Sequence, residues 1–489
     1  MLLSLIAILL GALAVGLAPT VFRLVGRLIG RSVQSTARQR RELLETRSEN
    51  DRKIKADALG QSTRRDASST SLDEDWEQVN AGSSTPSKSV PEINLINRTF
   101  KGVVGFFHPY CNAGGGGERV LFAAIEATQK QYPNVLCVVY TGDHDASKEQ
   151  ILTNVKNRFN IDLKPATVAF LYLSTREWVH ASKWPHFTLL GQSLGSLILG
   201  WDAFNLVVPD IFVDTMGYAF TLALSKWLFP SIPTGAYVHY PTISTDMLSS
   251  LHDEVAGRGL NAGMGKGLRG KVKQYYWELF AKLYGWMGGT IDVVMTNSSW
   301  TQKHVSSLWE PARTQRRKQH PIEVVYPPCA VGELQEKIPV DMASEKKRTR
   351  DILYIAQFRP EKMHQVVIDS FSIFLKKSSP DEPKPNLILV GSVRDDSDEK
   401  RVYKLRLQAQ DAKDHVQFVV NAKWPQILDF LRTSSVGVNG MWNEHFGIGV
   451  VEYQAAGLIS VVNDSGGPKS DIVVDVDGQP TGTFVPSAG

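Results

Sequence analysis

Two glutamates, Glu444 and Glu452, stand eight residues apart in NGMWNEHFGIGVVEYQAAG, with Phe446, Gly447, Ile448 and Gly449 between them. Glycine inside a first helical turn weakens a helix by about 1 kcal/mol per residue. Gly447 and Gly449 open a predicted helix that closes at Gly457, which makes sense where a ligand approaches the backbone. Glu444 falls before that helix and Glu452 within it, so the pair suits two hydroxyl-bearing parts of one ligand. Paired glutamates on a helix are ordinarily solvated; the glycines and the apolar run 435–439 just before them argue otherwise. In QFRPEK, Arg359 and Lys362 follow another apolar run, where cations suit a phosphate or simply face solvent. Gly114 to Gly117 precede Glu118, Arg119 and a helical stretch. Bare N–H groups at a helix N-terminus attract anions. The spacing is neither G-x-G-x-x-G nor a P-loop, and a tight turn would use the same residues. His239 ends the run GAYVH; position alone makes it a structural histidine.

These residues need strands to carry them. Candidate strands are 102–107, 135–140, 206–213, 235–239, 291–296 and 323–326, then 351–356, 386–390, 415–420, 435–439 and 458–462. Short apolar runs alternating with helical stretches predict parallel sheets covered on both faces. Two series predict an α/β protein of two Rossmann-like domains facing a cleft, residues 100–334 and 335–489. Ligands of such sheets sit at the carboxyl ends of the strands, where the residues above fall.

Residues 1–22 carry no charge, and about 20 apolar residues suffice to span a bilayer. Arg23, Arg27, Arg31, Arg38, Arg40 and Arg41 follow with no basic residue before them. The positive-inside rule then predicts a transmembrane helix with a lumenal start and a cytosolic body. A cleaved secretory signal is the competing reading, and it lacks its basic n-region. Residues 23–99 read as a basic segment and a tether: 32–60 can continue as helix, while 61–92 hold few large apolar residues and are expected to be disordered. The basic run suits anionic headgroups or plain solvent. The uncharged run 187–201 is too short to span and reads as a membrane-dipping or a core helix. The glycine-rich basic stretch 255–273 and QYYWELFAKLYGWM after it suit a bilayer interface or ordinary packing.

Composition excludes other classes. Lys+Arg 54 against Asp+Glu 50 leaves +4, too balanced for a bulk nucleic-acid binder. Charges interrupt most of the chain, which excludes a polytopic membrane protein. Three scattered cysteines make neither a disulfide framework nor a structural zinc site. The sequons at Asn97, Asn297 and Asn463 read as chance in a cytosolic body.

Glu444…Glu452, the P-E-K loop, the glycine loop and the turn Ser465–Pro468 together resemble the retaining GT-B glycosyltransferases of the glycogen-synthase-like group. Within that group HPYCNAGGGGERVL, VHYPTISTDM, TNSSWT, QFRPEK and MWNEHFGIGVVE are similar to the α-1,2-mannosyltransferases that extend dolichol-linked oligosaccharides on the cytosolic face of the endoplasmic reticulum. The resemblance implies GDP-mannose as donor and a dolichol-diphosphate-linked oligosaccharide as acceptor. The alternative is another lipid-linked acceptor or nucleotide sugar. It implies the endoplasmic reticulum membrane, and other mannosyltransferases of the pathway, as partners. Glu452 would hold the ribose hydroxyls and Glu444 the transferred sugar. The N–H groups around Phe446, Gly447 and Ile448 would cradle phosphates and sugar, and Lys362 would neutralise the leaving diphosphate. His239 would lie near the reaction centre, with Gly115, Gly116, Gly117, Glu118 and Arg119 on the donor. The family usually carries an arginine five residues before the lysine; Gln357 stands there, with Arg359 nearby as its substitute. No D-x-D motif ends a strand, so no metal or other cofactor is expected. The group continues with helices that cross back to the first domain, so the resemblance implies a truncated second domain ending at GTFVPSAG.

Overall fold

The computed structural model describes residues 2–69, 100–250, 267–379, 381–393 and 396–485. The expected tether beyond residue 69, the basic stretch 255–266 and the last four residues lie outside them.

The first sheet holds β1 (Val103–Phe107), β2 (Leu136–Thr141), β3 (Val168–Tyr172), β4 (Ile211–Asp214), β5 (Thr234–Val238), β6 (Val293–Thr296) and β7 (Ile322–Val324). Its order is β3-β2-β1-β4-β5-β6-β7, and every pairing is parallel. The second holds β8 (Ile352–Ile355), β9 (Leu387–Gly391), β10 (Val416–Val420), β11 (Val436–Asn439), β12 (Ile459–Asn463) and β15 (Gly482–Val485), ordered β10-β9-β8-β11-β12-β15 and again parallel. Between β12 and β15 lies a short antiparallel hairpin, β13 (Asp475–Val476) with β14 (Gln479–Pro480).

Helices bury both faces of each sheet. β1 and β2 are buried along their whole length. Their side chains divide between one core around Phe107, Tyr140 and Phe212 and another around Phe106, Phe122 and Val139. Two differences from the sequence reading stand out. β3 and β15 fall outside the candidate strands, although β3, VAFLY, is an uninterrupted apolar run whose outer residues are half-buried at the sheet edge. The run 206–213 also starts as the end of a helix, Thr188–Leu206, and Pro209, which has no N–H, separates that helix from β4.

One helix spans Leu2–Ser69 and carries the charged run 32–60 straight onto the first domain. Val33 and Ala37 are buried in that domain's core. Gly30 backs onto the carbonyl of Leu228, a closeness no larger residue allows. Arg41 forms a two-point ion pair with Asp210 at 2.6 and 3.0 Å, and Asp210 also accepts from the Val103 N–H at 2.8 Å. Part of the basic run therefore binds protein. No helix among the described residues is long and apolar enough to cross a membrane; the side chains of residues 1–15, most of the expected anchor, lie outside that description.

The helix Thr188–Leu206 buries Gly195, Leu199, Ala203 and Phe204 and leaves Leu194, Ile198 and Trp201 exposed. The helix Gly267–Gly288 likewise buries Trp277, Phe280 and Tyr284 and exposes Tyr275, Leu279 and Trp286.

Candidate active site

The cleft between the sheets gathers side chains from the ends of β1, β5, β8 and β11. After β11 the chain turns through Glu444 and His445 into the helix Ile448–Ala455. Gly447 precedes that helix at φ +106°, a conformation glycine adopts freely. The serine-glycine-glycine-proline turn braces the loop from behind. The Gly467 N–H donates to the Glu444 carbonyl at 2.7 Å, and a Cβ on Gly467 would lie 2.5 Å from the His445 carbonyl oxygen.

Lys362 enters from the turn Pro360–Lys362 after β8. Its Nζ lies 2.5 Å from Glu444 Oε2, and Asn439 Nδ2 donates to the same oxygen at 3.3 Å. Burial alone would push the Glu444 carboxyl up; Lys362, with His445 and Asn439, outweighs burial and holds it below the usual range. Glu452 has the opposite balance. Burial pushes its carboxyl above the usual range although Arg119 Nη1 lies 3.2 Å away and the Ala330 N–H donates to it.

The glycine loop forms the facing wall. Glu118 Oε2 accepts from the Gly115 N–H at 2.5 Å, and Glu118 Oε1 lies 3.5 Å from His108 Nε2. His108 Nδ1 is in turn 2.7 Å from Thr215 Oγ1. Burial works against the Glu118 charge, and His108 with the Gly115 N–H overcomes it, so the acid is held below the usual range. Its oxygens thus brace the loop. His239, just past the end of β5, is half-buried; its Nε2 is buried and unpartnered, 3.6 Å from where a Gly117 Cβ would stand. Burial, and then His108, depresses it to about 4, so the ring is neutral at physiological pH.

A cleft of about 1390 Å³ is lined by His239, Lys362, Glu444 and Glu452, by Gly115 to Arg119, and by Phe446 to Ile448. Gln357 lines it as well, whereas Arg359 does not. Arg359 sits 3.9 Å from Glu361, and Phe358 before it is fully buried. Among the described residues, no group of three or more His, Cys, Asp or Glu side chains could hold a metal ion.

Sequence reasoning passed over His108 and His445. The His445 ring stacks on Tyr240 at 4.1 Å and is parallel to Trp300 at 5.7 Å, so second-domain His445 packs with first-domain rings. Around it Ser298 Oγ donates to the His445 carbonyl at 2.5 Å, Asn443 Nδ2 to Asp246 at 2.8 Å, and the Ser299 N–H to Asp471 at 2.9 Å. Tyr240, Ser298 and Trp300 lie in VHYP and TNSSWT, so the sequence held the partners without showing that they meet.

Comparison with known proteins identifies the assembly. Residues 101–309 match the family described as ALG11 mannosyltransferase N-terminus, and residues 339–488 match glycosyl transferases group 1. A relative from Neurospora crassa named GDP-Man:Man(3)GlcNAc(2)-PP-Dol alpha-1,2-mannosyltransferase is 56% identical, over 97% of this chain and 86% of its own. The chain belongs to this mannosyltransferase family. A human relative of the same name is 46% identical over 79% of this chain and 77% of its own. In fold the family member is similar to alpha,alpha-trehalose 6-phosphate synthase from Burkholderia multivorans, with a TM-score of 0.51 and 12% identity over 75% of this chain and 85% of that one. That likeness is to the two-sheet GT-B-like glycosyltransferase fold.

Proposed function

We propose that this enzyme transfers mannose from GDP-mannose, in α-1,2 linkage, to a dolichol-diphosphate-linked oligosaccharide. The observation that carries the reading is the Lys362–Glu444 pair beside the N-terminus of the helix Ile448–Ala455, with Glu452 farther along that helix. Glu452 accepts hydrogen bonds from the ribose hydroxyls. The N–H groups at Gly447 and Ile448 receive the diphosphate, and Glu444 takes a hydroxyl of the mannose. Neutral His239, across from them, hydrogen-bonds the sugar near its reacting carbon.

The bond from the anomeric carbon to the diphosphate oxygen breaks toward an oxocarbenium-like state. Charge gathers on the leaving diphosphate, and Lys362 with the helix N–H groups stabilises it where it forms. The acceptor hydroxyl attacks from the face the diphosphate leaves, and its proton passes to a diphosphate oxygen. An α donor thus gives an α product. Lys362 and the helix N-terminus supply the positive charge in this scheme, with no metal ion or further cofactor.

The same reading puts the enzyme on the endoplasmic reticulum membrane, anchored through residues 1–22 with its body in the cytosol. Phe22, Leu24 and Leu28 on the first helix support it, as do Ile198, Trp201, Leu279 and Trp286 on helices of the same domain, because all are exposed. Apolar and aromatic side chains of this kind suit a bilayer interface. Calorimetry of GDP-mannose tests the donor assignment. Glu452→Ala is expected to weaken binding about ten- to a hundredfold, as for a buried charge-assisted hydrogen bond. Unchanged affinity in a folded variant rejects the role given to Glu452.

A further inference from the structure

The acid assigned to the ribose already has a partner from the other domain. Arg119 sits on the helix Gly116–Gln131 of the first domain and Glu452 on the helix Ile448–Ala455 of the second. Their side chains are only 14% and 9% exposed, and Nη1 reaches Oε1 at 3.2 Å. Next to them the glycine loop closes on the same helix, since a Cβ on Gly116 would stand 2.9 Å from Ile448 Cδ1. The ion pair and this contact bridge the glycine loop and the helix Ile448–Ala455 at the edge of the cleft. Hydrogen bonds that join Asp246, Ser298 and Ser299 to the second domain lie around Asn443, His445 and Asp471.

A ribose diol and a guanidinium are both donors, and they compete for the acceptor positions of one carboxylate. The Ala330 N–H already takes part of that capacity. With Arg119 against it Glu452 is only 9% exposed, so a nucleotide that sets its ribose on this carboxylate displaces Arg119. The guanidinium stays tethered three residues beyond Gly116, beside the loop against which the diphosphate lies.

We propose that Arg119 is a latch exchanged by the donor: it pairs with Glu452 before the donor binds, gives way to the nucleotide ribose, and then turns to the diphosphate. This rests on the reading of Glu452 as the ribose acceptor. Arg119 thereby couples nucleotide recognition to the parting of the two walls. It also lets the cleft distinguish a nucleoside, which only opens the latch, from a nucleoside diphosphate, which opens it and rewards the freed cation.

Guanosine and GDP separate the two halves of the exchange by calorimetry. Arg119→Gln is expected to bind guanosine about tenfold more tightly if the latch is closed about nine-tenths of the time, because the competent fraction rises to one. GDP loses its phosphate partner in the same variant, so its preference over guanosine falls by at least about tenfold. Arg119→Lys, which keeps the charge on a shorter head group, should lie between wild type and Arg119→Gln for both ligands. It gives the sign of the effect even if the glutamine variant does not fold. Guanosine affinity unchanged or weakened in the folded variants overturns the latch, and an equal gain for guanosine and GDP overturns the handover to the diphosphate. Glu452→Gln is the control: if it leaves guanosine binding intact, the ribose assignment falls whatever Arg119 does.

Discussion

Replacing Lys362 by methionine keeps most of the side chain's volume and removes its charge. Lys362 is 21% exposed and Glu444 12%, so the change strands a largely buried carboxylate with Asn439 as its remaining side-chain donor. Breaking a fully buried pair costs about 3–5 kcal/mol. Partial exposure and the Asn439 bond bring the expected loss here to about 2–3 kcal/mol. The sign of its pH dependence follows from Glu444. Its folded carboxyl lies below the usual range, so the stabilisation is complete above the unfolded value of about 4.3 and is lost as pH falls through the folded value. Urea unfolding should show a wide gap between wild type and Lys362→Met at neutral pH, closing below about pH 4. Turnover on a lipid-linked acceptor should fall about 10²–10³-fold, with GDP-mannose affinity falling less, because the lysine interacts most strongly with charge that builds in the transition state. The double variant Lys362→Met with Glu444→Gln separates the effects: stability returns to within about 1 kcal/mol of wild type because no charge is left buried, and turnover stays low. If Lys362→Met unfolds at the wild-type midpoint and turns over near the wild-type rate, the lysine is neither a structural partner nor the leaving-group cation.

Arg359→Ala should change turnover by less than about threefold, since an exposed ion pair contributes little and the side chain does not line the cleft; a loss as large as that of Lys362→Met would show that Arg359 reaches the donor. Asp292 accepts from Lys318 at 2.6 Å, Lys226 at 3.0 Å and the Thr234 N–H at 2.9 Å, and these partners outweigh burial to hold it at about 2. Asp292→Asn should therefore cost about 1–2 kcal/mol at neutral pH, the gap vanishing between about pH 4 and pH 2, as followed by thermal unfolding across that range. Protease added to intact microsomes should digest the catalytic body, whereas a protected body or a glycan on buried Asn297 would reverse the proposed orientation.

The central strands were readable because a strand buried on both faces is apolar throughout, and GVVGFF, VLCVVY and NLILV show it. Edge strand β3, VAFLY, is as apolar as these, but the turn Pro165–Thr167 leads directly into it and leaves its start unmarked. In the site, glycines at a helix start are costly enough to stand out, which made the stretch from Glu444 to Glu452 legible. Direction was not: Arg359 and Lys362 are three residues apart, yet Lys362 reaches Glu444 while Arg359 turns to Glu361. The stack of Tyr240, His445 and Trp300 draws on three distant segments, and no local pattern announces a contact of that kind. Arg41 and Asp210 likewise meet across 169 positions of sequence.

The first helix, 68 residues and so about 100 Å long, has a mechanical consequence. Among the described residues, every side-chain hydrogen bond between it and the rest of the protein joins it to the first domain, at Asn134, Ala166, Asn205, Val208, Asp210 and Trp227. These bonds therefore fasten the rod and the first domain into one piece. Whatever holds the rod fixes the glycine loop and His239 at a constant height above it.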